Sequence, residues 1–254
     1  MATSSKTEWF DDDSFWIDQY EAMFSDQRFT EAAHQADQLV GLVSPPGRDV
    51  LDLACGPGRF AIPLAQRGFR VCAVDRTAFL LEKGRQRACA AQLDVEWVQS
   101  DMRTFARPSA FDLIVSMMTS FGYFEDRQED LVVLQHMLRN LKPGGVCVID
   151  VKGKERVART LQPTSTEVHA DGTVVKMRCS VIDDWTRVSN EMTVIRVGQT
   201  EKTYRFDATL YSGQELRDRL TAVGFRDIKL YGNLGGGDYG FDAERLIAVA
   251  RRPV

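Results

Sequence analysis

The stretch Val50-Leu51-Asp52-Leu53-Ala54-Cys55-Gly56-Pro57-Gly58-Arg59 decides how the rest of the sequence is interpreted. Its first residues predict a buried strand, and the glycines that follow predict a tight turn into a helix. Glycine lets the backbone approach a ligand closely while free N–H groups point outward. Gly56, Gly58 and Ala61 also fit the relaxed G-x-G-x-x-A pattern of dinucleotide binders. Taken alone, the stretch indicates a ligand of the adenosine type.

Short apolar runs alternate with longer amphipathic ones after Asp49, which is the order expected of a parallel sheet flanked by helices. The sequence therefore predicts a doubly wound α/β fold. The predicted strands are Val50–Ala54, Arg70–Asp75, Val95–Gln99, Phe111–Met117 and Val146–Val151. The predicted helices between them are Arg59–Arg67, Ala78–Gln92 and Arg127–Asn140. Pro143 and the two glycines after it stop the last of these helices.

The pattern changes after the fifth strand. Apolar residues then alternate with polar ones, a period of two that predicts a strand with one dry face. The apolar positions of this face are Val175, Met177, Cys179 and Val181, joined by Tyr204, Phe206 and Ala208 in later runs. Residues 166–211 are interpreted as an antiparallel β insertion, with Asp171-Gly172 as a hairpin turn. A helix at Gln214–Val223 and strands at Asp227–Tyr231 and Arg245–Ala250 return to the main sheet, which then has seven mostly parallel strands.

The domain organisation follows from these patterns. Residues 1–47 form an N-terminal helical cap, in which Ser14–Val43 reads as one or two helices rich in aromatic residues. Pro45-Pro46-Gly47 closes that segment. Residues 48–254 form the main domain and include the insertion, which serves either as a lid over the site or as a dimer interface. A lid is the first expectation, and the protein is expected to be a monomer or a homodimer.

Composition excludes several classes of partner. Lys and Arg number 32 against 36 Asp and Glu, a net charge of −4, so the basic balance typical of nucleic-acid binding is missing. No apolar run approaches the roughly 20 residues that a membrane helix requires. Glu8 and three aspartates at 11–13 stand where a secretory signal would be basic and then apolar, so a cytoplasmic protein is expected. The five cysteines form no CxxC pair and the three histidines lie far apart, so no metal site is expected.

Polar groups follow the second and third predicted strands. Asp75 comes nineteen residues after Gly56, where its carboxylate can accept hydrogen bonds from both hydroxyls of a ribose. Capping of the next helix is the alternative role for this side chain. Ser100-Asp101-Met102 would set an acidic acceptor and an apolar side chain beside an adenine ring. The run Leu141-Lys142-Pro143-Gly144-Gly145 then leads into the fifth strand.

The ordered set of these motifs, from Asp52 through Asp75 and Asp101 to Gly145, resembles the class I S-adenosylmethionine-dependent methyltransferases. The resemblance covers residues 50–151. It implies S-adenosyl-L-methionine as the cofactor, S-adenosyl-L-homocysteine as the product, and a seven-stranded Rossmann-like sheet.

A narrower resemblance rests on Met117-Met118-Thr119-Ser120-Phe121-Gly122-Tyr123-Phe124 together with the insertion. It is to the small-molecule N-methyltransferases that include amino-sugar N,N-dimethyltransferases. In those sugar enzymes histidine tends to occupy the position of Tyr123. The sugar substrate is therefore not carried over to this chain.

The resemblance implies a set of site residues. The expected cofactor-binding residues are Tyr20, Ala54, Cys55, Gly56, Gly58, Asp75, Arg76, Asp101, Met102 and Met117. Tyr123 is the candidate catalytic residue, since it can orient the acceptor or take its proton, and an aromatic wall of the pocket is its alternative role. The expected substrate-binding residues are Tyr123, Arg178, Arg205 and Tyr211, the last three on the polar face of the insertion, for which a solvated surface is the alternative.

The expected function is methyl transfer from S-adenosylmethionine to a small molecule, with nitrogen the first acceptor atom and oxygen the second. An NAD-type oxidoreductase is one alternative, but it predicts a Tyr-x-x-x-Lys pair on a helix after the fourth strand, and the sequence has none there. A non-catalytic cofactor-binding or dimer-forming protein of the same fold is the other alternative. Neither nucleic acid nor a membrane is an expected partner.

Overall fold

The computed structural model describes residues 8–169 and 171–254 of the chain. Its strands, in chain order, are β1 (Asp49–Leu53), β2 (Arg70–Asp75), β3 (Glu96–Gln99), β4 (Phe111–Ser116), β5 (Leu141–Val151), β6 (Thr164–Val168), β7 (Val174–Ile182), β8 (Arg187–Ile195), β9 (Lys202–Thr209), β10 (Arg226–Tyr231) and β11 (Leu246–Arg251). Seven of them form a sheet in the order β10-β11-β5-β4-β1-β2-β3. Only β11 runs antiparallel to its neighbours in the described part of this sheet. The predicted doubly wound, mostly parallel seven-stranded sheet is confirmed.

Seven α-helices are described, after a 3-10 turn at Trp9–Asp11. They are α1 (Asp13–Met23), α2 (Asp26–Val43), α3 (Ala61–Gln66), α4 (Ala78–Ala90), α5 (Arg127–Asn140), α6 (Lys154–Thr160) and α7 (Gly213–Val223). Helix α7 begins with a capping box of Ser212 and Glu215 and ends at Gly224, whose φ is 116°. These end signals explain why the predicted bounds of this helix lie within one residue of the observed ones.

Some elements differ from the sequence-based expectation. Helix α6 and strand β6 were not predicted, because β6 is mostly exposed and its residues lack apolar alternation. Strand β5 begins at Leu141 rather than Val146, since Leu141 already pairs with Phe111 across a register shift. The first seven residues of the predicted N-terminal cap, and residue 170 in the predicted insertion, lie outside the described residues.

Strand β1 is buried on both faces because it lies between β2 and β4 in the middle of the sheet. Leu51 and Leu53 belong to one core cluster, on the side of α5 and α7. Val50 belongs to the cluster on the other side, which includes Leu39 of α2 and Leu64 of α3. This explains why the strand sequence is nearly all apolar.

A second, antiparallel sheet in the order β6-β7-β8-β9 corresponds to the predicted insertion. One part of its apolar face packs on the N-terminal segment of the same chain. The Phe206 ring lies 5.1 Å from Trp9, and the Tyr204 ring lies 5.2 Å from Phe15, measured between centroids. Asp18 of α1 joins the two elements further, because it accepts a hydrogen bond of 2.6 Å from the Tyr204 hydroxyl.

Tyr211 occupies a different place from the one expected. It follows β9 and is 1% exposed, stacked on Phe121 with 5.7 Å between ring centroids. Its hydroxyl donates a hydrogen bond to Oδ2 of the buried Asp130 on α5. Because the chain turns into the main core after Thr209, this tyrosine anchors the insertion and does not lie on its polar face.

The turn after β1 depends on a close contact with β3. Gly58 has a φ of 84°, and a Cβ built on it would lie 2.5 Å from the Trp97 ring. A Cβ on Gly84 of α4 would meet the same ring at 2.5 Å. The indole therefore lies against two glycines. This contact fixes where α3 and α4 lie relative to the strand ends.

We predict that Asp130→Asn changes how stability depends on pH. Burial raises the pKa of Asp130 to about 6, from an ordinary value of 3.8. Because the pKa of Asp130 is higher in the folded state than in the unfolded state, proton binding by this group stabilises the folded protein. This stabilisation is complete below pH 4 and is lost as the pH rises through 6. The free energy of unfolding of the wild type, minus that of the variant, should fall by on the order of 2–3 kcal/mol across this range. Urea denaturation at several pH values measures it, with the exposed Asp94→Asn as control. A pH-independent difference would contradict the prediction.

We predict opposite effects of alanine at two glycines. Gly58→Ala should lower the free energy of unfolding by about 2–4 kcal/mol, because the methyl group meets Trp97 and the backbone is left-handed. Gly41→Ala should raise it by about 0.5–1 kcal/mol, since Gly41 lies inside α2 with nothing within 4 Å of a built Cβ. Denaturant titration of both variants checks this. A Gly58→Ala variant as stable as the wild type would be inconsistent with it.

Candidate active site

The loop after β1 is held by the carboxylate that ends β2. Asp75 Oδ2 accepts a 2.7 Å hydrogen bond from the Gly56 N–H, and its Oδ1 accepts one of 2.9 Å from the Thr77 N–H. Ala54 and Gly56 have φ values of 60° and 54°, so the loop turns sharply at both. Burial raises the pKa of Asp75, although these hydrogen bonds act in the opposite direction. Each carboxylate oxygen keeps a further lone pair that can accept from a ligand.

A cavity opens at the carboxyl ends of β1 to β4, the edge at which doubly wound sheets bind ligands. Its empty space, including the mouth, is about 1120 Å³. The predicted site residues that line it are Ala54, Cys55, Gly56, Asp75, Arg76, Asp101, Met102, Met117 and Tyr123. The structure thus brings together nine positions from four separate parts of the sequence.

Two predicted cofactor residues do not line this cavity. Tyr20 is buried behind it, with its ring 5.5 Å from Phe24 and 5.6 Å from Phe79. Gly58 is covered by Trp97 and serves the packing of the turn. On the N-terminal side the cavity is lined by Trp9, Phe10, Trp16, Met23 and Phe24. Helical spacing alone does not distinguish among these aromatic residues, because it leaves the orientation of α1 undetermined.

The three substrate candidates of the insertion are corrected. The Arg178 and Arg205 side chains are 75% and 77% exposed, and both pair with Glu191 on the outer face of the second sheet. Tyr211 is part of the main core. None of the three is among the residues that line the cavity. The two arginines instead lie on a solvated face, where both pair with the same carboxylate, Glu191.

An ionic network surrounds the predicted adenine end. Asp101 accepts hydrogen bonds from Arg76 Nη1 at 2.9 Å and from Arg103 Nη2 at 2.6 Å, and the Arg103 backbone N–H adds another at 2.7 Å. The same two arginines bind Glu8, and Arg76 also binds Asp11. Both oxygens of Asp101 are therefore occupied. The network ties the N-terminal turn over the cavity.

A second buried carboxyl group lies beneath the loop. Asp52 lines the cavity, and its Oδ2 has no hydrogen-bond partner among the described residues. Burial raises the pKa of Asp52 to about 7, and the nearby Asp75 adds to this effect. Unpartnered buried oxygens are rare in folded proteins, so this atom is a place where a ligand donor fits.

Tyr123 lies on the loop that follows β4, where it is half-buried and lines the cavity. Its ring is 5.2 Å from Trp9 in an edge contact. Burial raises the pKa of Tyr123 to about 12. The phenol is therefore protonated at neutral pH, which suits it to donate a hydrogen bond.

The loop around Tyr123 is braced from β5. Met118 and Thr119 both have left-handed backbones, with φ values of 60° and 63°. Asp150 Oδ2 accepts a hydrogen bond of 2.9 Å from the Met118 N–H, and its Oδ1 accepts one of 2.5 Å from Arg245 Nε. Arg245 in turn donates to the Thr119 hydroxyl at 3.2 Å. Two left-handed residues in a row explain why a sequence pattern did not define this loop.

The residues present fit S-adenosylmethionine. The orphaned Asp52 Oδ2 and the spare lone pairs of Asp75 need hydrogen-bond donors, and the cofactor carries an α-amino group and two ribose hydroxyls. Met102 and Leu80 offer apolar surface for its base.

No group of three or more metal-ligating side chains was found within residues 8–169 and 171–254. None of the helices in these ranges is long and apolar enough to cross a membrane.

Comparison with known proteins shows which enzymes the chain is similar to. Residues 50–145 match the family model described as a methyltransferase domain. The putative methyltransferase YqeM of Bacillus subtilis (strain 168) is 27% identical over 213 residues, 80% of this chain and 83% of that protein. The dTDP-3-amino-3,4,6-trideoxy-alpha-D-glucopyranose N,N-dimethyltransferase of Streptomyces venezuelae is 28% identical over 210 residues, 81% and 86% of the two chains.

Among solved structures, an S-adenosylmethionine-dependent methyltransferase from Clostridium acetobutylicum ATCC 824 superposes with a TM-score of 0.78 at 17% identity. The superposition covers 95% of this chain and 99% of that one. At this identity it shows a shared fold. The domain match and the relatives show that residues 50–145 are a methyltransferase domain and that the chain is similar to S-adenosylmethionine-dependent methyltransferases, an amino-sugar N,N-dimethyltransferase among them.

Proposed function

We propose that this enzyme methylates a small molecule, and that the acceptor atom is nitrogen. The observation that carries the proposal is the cavity itself, which runs from Asp75 to Tyr123 and is covered by aromatic side chains of the N-terminal segment. A covered cavity of this kind admits a small acceptor, and a polymer would require an open groove. The net charge of −4 supports a partner other than nucleic acid.

The groups at the Tyr123 end favour nitrogen over an alcohol. The described lining there includes Met118, Thr119 and Ser120, and none of the three histidines of the chain contributes. An alcohol must lose its proton to a base as it attacks, whereas a neutral amine has a free lone pair. A similar protein, the Streptomyces venezuelae N,N-dimethyltransferase, is named for an amino sugar. Oxygen remains the second acceptor, in the form of an ionised carboxylate, which needs no base.

The proposed mechanism is mainly one of positioning. When bound, S-adenosylmethionine supplies a methyl group on a sulfonium, which is already strongly electrophilic. The Asp75 carboxylate orients the ribose, and the loop at Ala54–Gly58 holds the methionyl end. Trp9 and Trp16 exclude water from the path of the methyl group. Binding in the cavity also holds the reacting atoms in line. Tyr123 donates a hydrogen bond that orients the acceptor.

We infer a lid role for the insertion of residues 166–211 that acts through the N-terminal segment. Phe206 contacts Trp9, and Trp9 contacts Tyr123, so the second sheet reaches the acceptor end by way of one aromatic side chain. The Asp18 hydrogen bond to Tyr204 supports the same arrangement. The part of the apolar face that contacts α1 is thereby covered within one chain, which favours a lid over a dimer interface at this place.

Asp75→Ala should weaken binding of S-adenosylhomocysteine at least tenfold. The variant loses the acceptor for two ribose hydroxyls, and a charged hydrogen bond of this type contributes about 1.5–3 kcal/mol. Isothermal titration calorimetry measures the affinity, and thermal denaturation verifies that the variant folds. The exposed Asp94→Ala is the matched control. An unchanged affinity in a folded Asp75→Ala protein, or binding of NAD by the wild type, would refute the assignment.

Tyr123→Phe should lower kcat/KM for the acceptor about two- to tenfold and leave the affinity for S-adenosylhomocysteine unchanged. A lost neutral hydrogen bond contributes about 0.5–1.5 kcal/mol, and the tyrosine touches the acceptor end alone. The assay follows release of S-adenosylhomocysteine with a panel of amino sugars, amino acids and carboxylic acids. Tyr231→Phe, on the edge strand β10, is the control. Full activity of Tyr123→Phe would assign this ring to the cavity wall.

A further inference from the structure

The carboxylate of Asp101 is saturated with hydrogen bonds from its own chain. Its Oδ1 accepts one from the Arg103 N–H at 2.7 Å and one from Arg103 Nε at 3.0 Å. Its Oδ2 accepts one from Arg103 Nη2 at 2.6 Å and one from Arg76 Nη1 at 2.9 Å. A carboxylate has about four lone-pair positions, and these donors fill all of them. A further donor can therefore bind Asp101 only by displacing an arginine.

Both arginines are held by other groups as well. Arg76 pairs with Glu8 at 2.9 Å, and its guanidinium lies 5.1 Å from the centre of the Phe10 ring. Arg103 pairs with the same Glu8 carboxylate at 2.8 Å. The Arg103 side chain is only 19% exposed. Neither arginine can turn away from Asp101 without losing contacts to the N-terminal turn.

The ionic network contains more acids than bases. Its two arginines lie between four carboxylates, those of Glu8, Asp11, Asp101 and Glu129. Burial raises the pKa of Asp11, against the charge of Arg76, and the neighbouring Glu8 and Asp101 add to this increase. These carboxylates therefore lie close enough to repel one another. An arginine that left Asp101 would expose this carboxylate to that repulsion, so release of Asp101 is unfavourable.

The 6-amino group of adenine is a weak competitor for such a carboxylate. It is a neutral donor, whereas the guanidinium groups make charge-assisted hydrogen bonds that are roughly twice as strong. Asp52 and Asp75 are the other acids in the described lining of the cavity, and both lie beside the loop after β1. Leu80 and Met102 offer the base an apolar surface that needs no charged acceptor.

We propose that Asp101 positions the N-terminal turn over the cavity and does not bind the 6-amino group of adenine. The base is then recognised by its shape and its apolar faces, and the enzyme also binds a nucleoside whose purine lacks this amino group. This assignment differs from the contact with adenine that the motif after β3 predicts. It depends on the cofactor alone and not on the identity of the acceptor.

The first test compares two ligands that differ only in the amino group. One is S-adenosylhomocysteine, and the other is its 6-desamino analogue, whose purine carries hydrogen at C6 and keeps N1 as an acceptor. Calorimetry should show that the wild type binds the two with affinities that differ by less than about threefold. If Asp101 accepted the amino group, loss of a hydrogen bond to a charged group would weaken the analogue by about tenfold or more. That result would overturn the proposal.

Asp101→Asn completes a double-mutant cycle between protein and ligand. The variant loses the negative charge that binds both arginines, so the turn loosens and both ligands should bind more weakly by the same factor, within about twofold. Glu96→Gln, which breaks the ion pair of β3 with Arg107, is the matched control and should change neither affinity. A loss confined to S-adenosylhomocysteine would show that Asp101 contacts the amino group, contrary to the proposal.

Hydrogen–deuterium exchange tests the positioning role directly. In the turn, the Asp11 N–H donates to the Glu8 carbonyl and the Asp12 N–H donates to the Trp9 carbonyl. Asp101→Asn should raise the exchange rate of these amides by about fivefold or more, and Glu96→Gln should leave it unchanged. Exchange as slow in Asp101→Asn as in the wild type would overturn the positioning role. Thermal denaturation verifies folding, and if the variant does not fold, the comparison of the two ligands on the wild type still decides whether Asp101 binds the base.

Discussion

The hydrogen bonds from Gly56 and Thr77 to Asp75 are the constraint on which the site depends. They join the loop after β1 to the end of β2, beside the backbone hydrogen bond from the Cys55 N–H to the Val74 carbonyl. The same carboxylate keeps lone pairs for a ligand. Structural and binding roles therefore fall on one side chain, and its burial is tolerated because backbone donors satisfy much of its charge.

The Asp75 end and the Tyr123 end of the cavity are built from different kinds of structural element. The Asp75 end is built on consecutive parallel strands, whose carboxyl ends meet wherever this fold occurs. The Tyr123 end is built from a loop with two left-handed residues, from the Asp150–Arg245 ion pair that supports this loop, and from aromatic residues of the N-terminal segment. The first end suits a constant cofactor. The second end is assembled from a loop and from the N-terminal segment, and under the proposed function it takes the acceptor.

Sequence patterns defined the first end well and the second poorly, for physical reasons. Asp75 and Gly56 were predicted because a buried strand followed by glycine or an acid leaves few conformations open. Tyr20 was preferred to Trp16 although both lie on the same helical face at a spacing of four, and in the structure Trp16 lines the cavity whereas Tyr20 does not. Tyr211 was placed on a surface because alternation continued to it, although the chain turns inward after Thr209.

Asp18 links helix α1 to the second sheet, and this link limits how segments can be exchanged between related enzymes. It receives hydrogen bonds from Arg196, Lys202 and Tyr204, residues that are almost two hundred positions away along the chain. The N-terminal helix and the second sheet are thus joined into one structural unit, although they lie far apart in the sequence. A chimaera that imports the insertion of a relative would leave Asp18 facing foreign residues. Acceptor preference should therefore be exchanged between relatives by grafting both segments together.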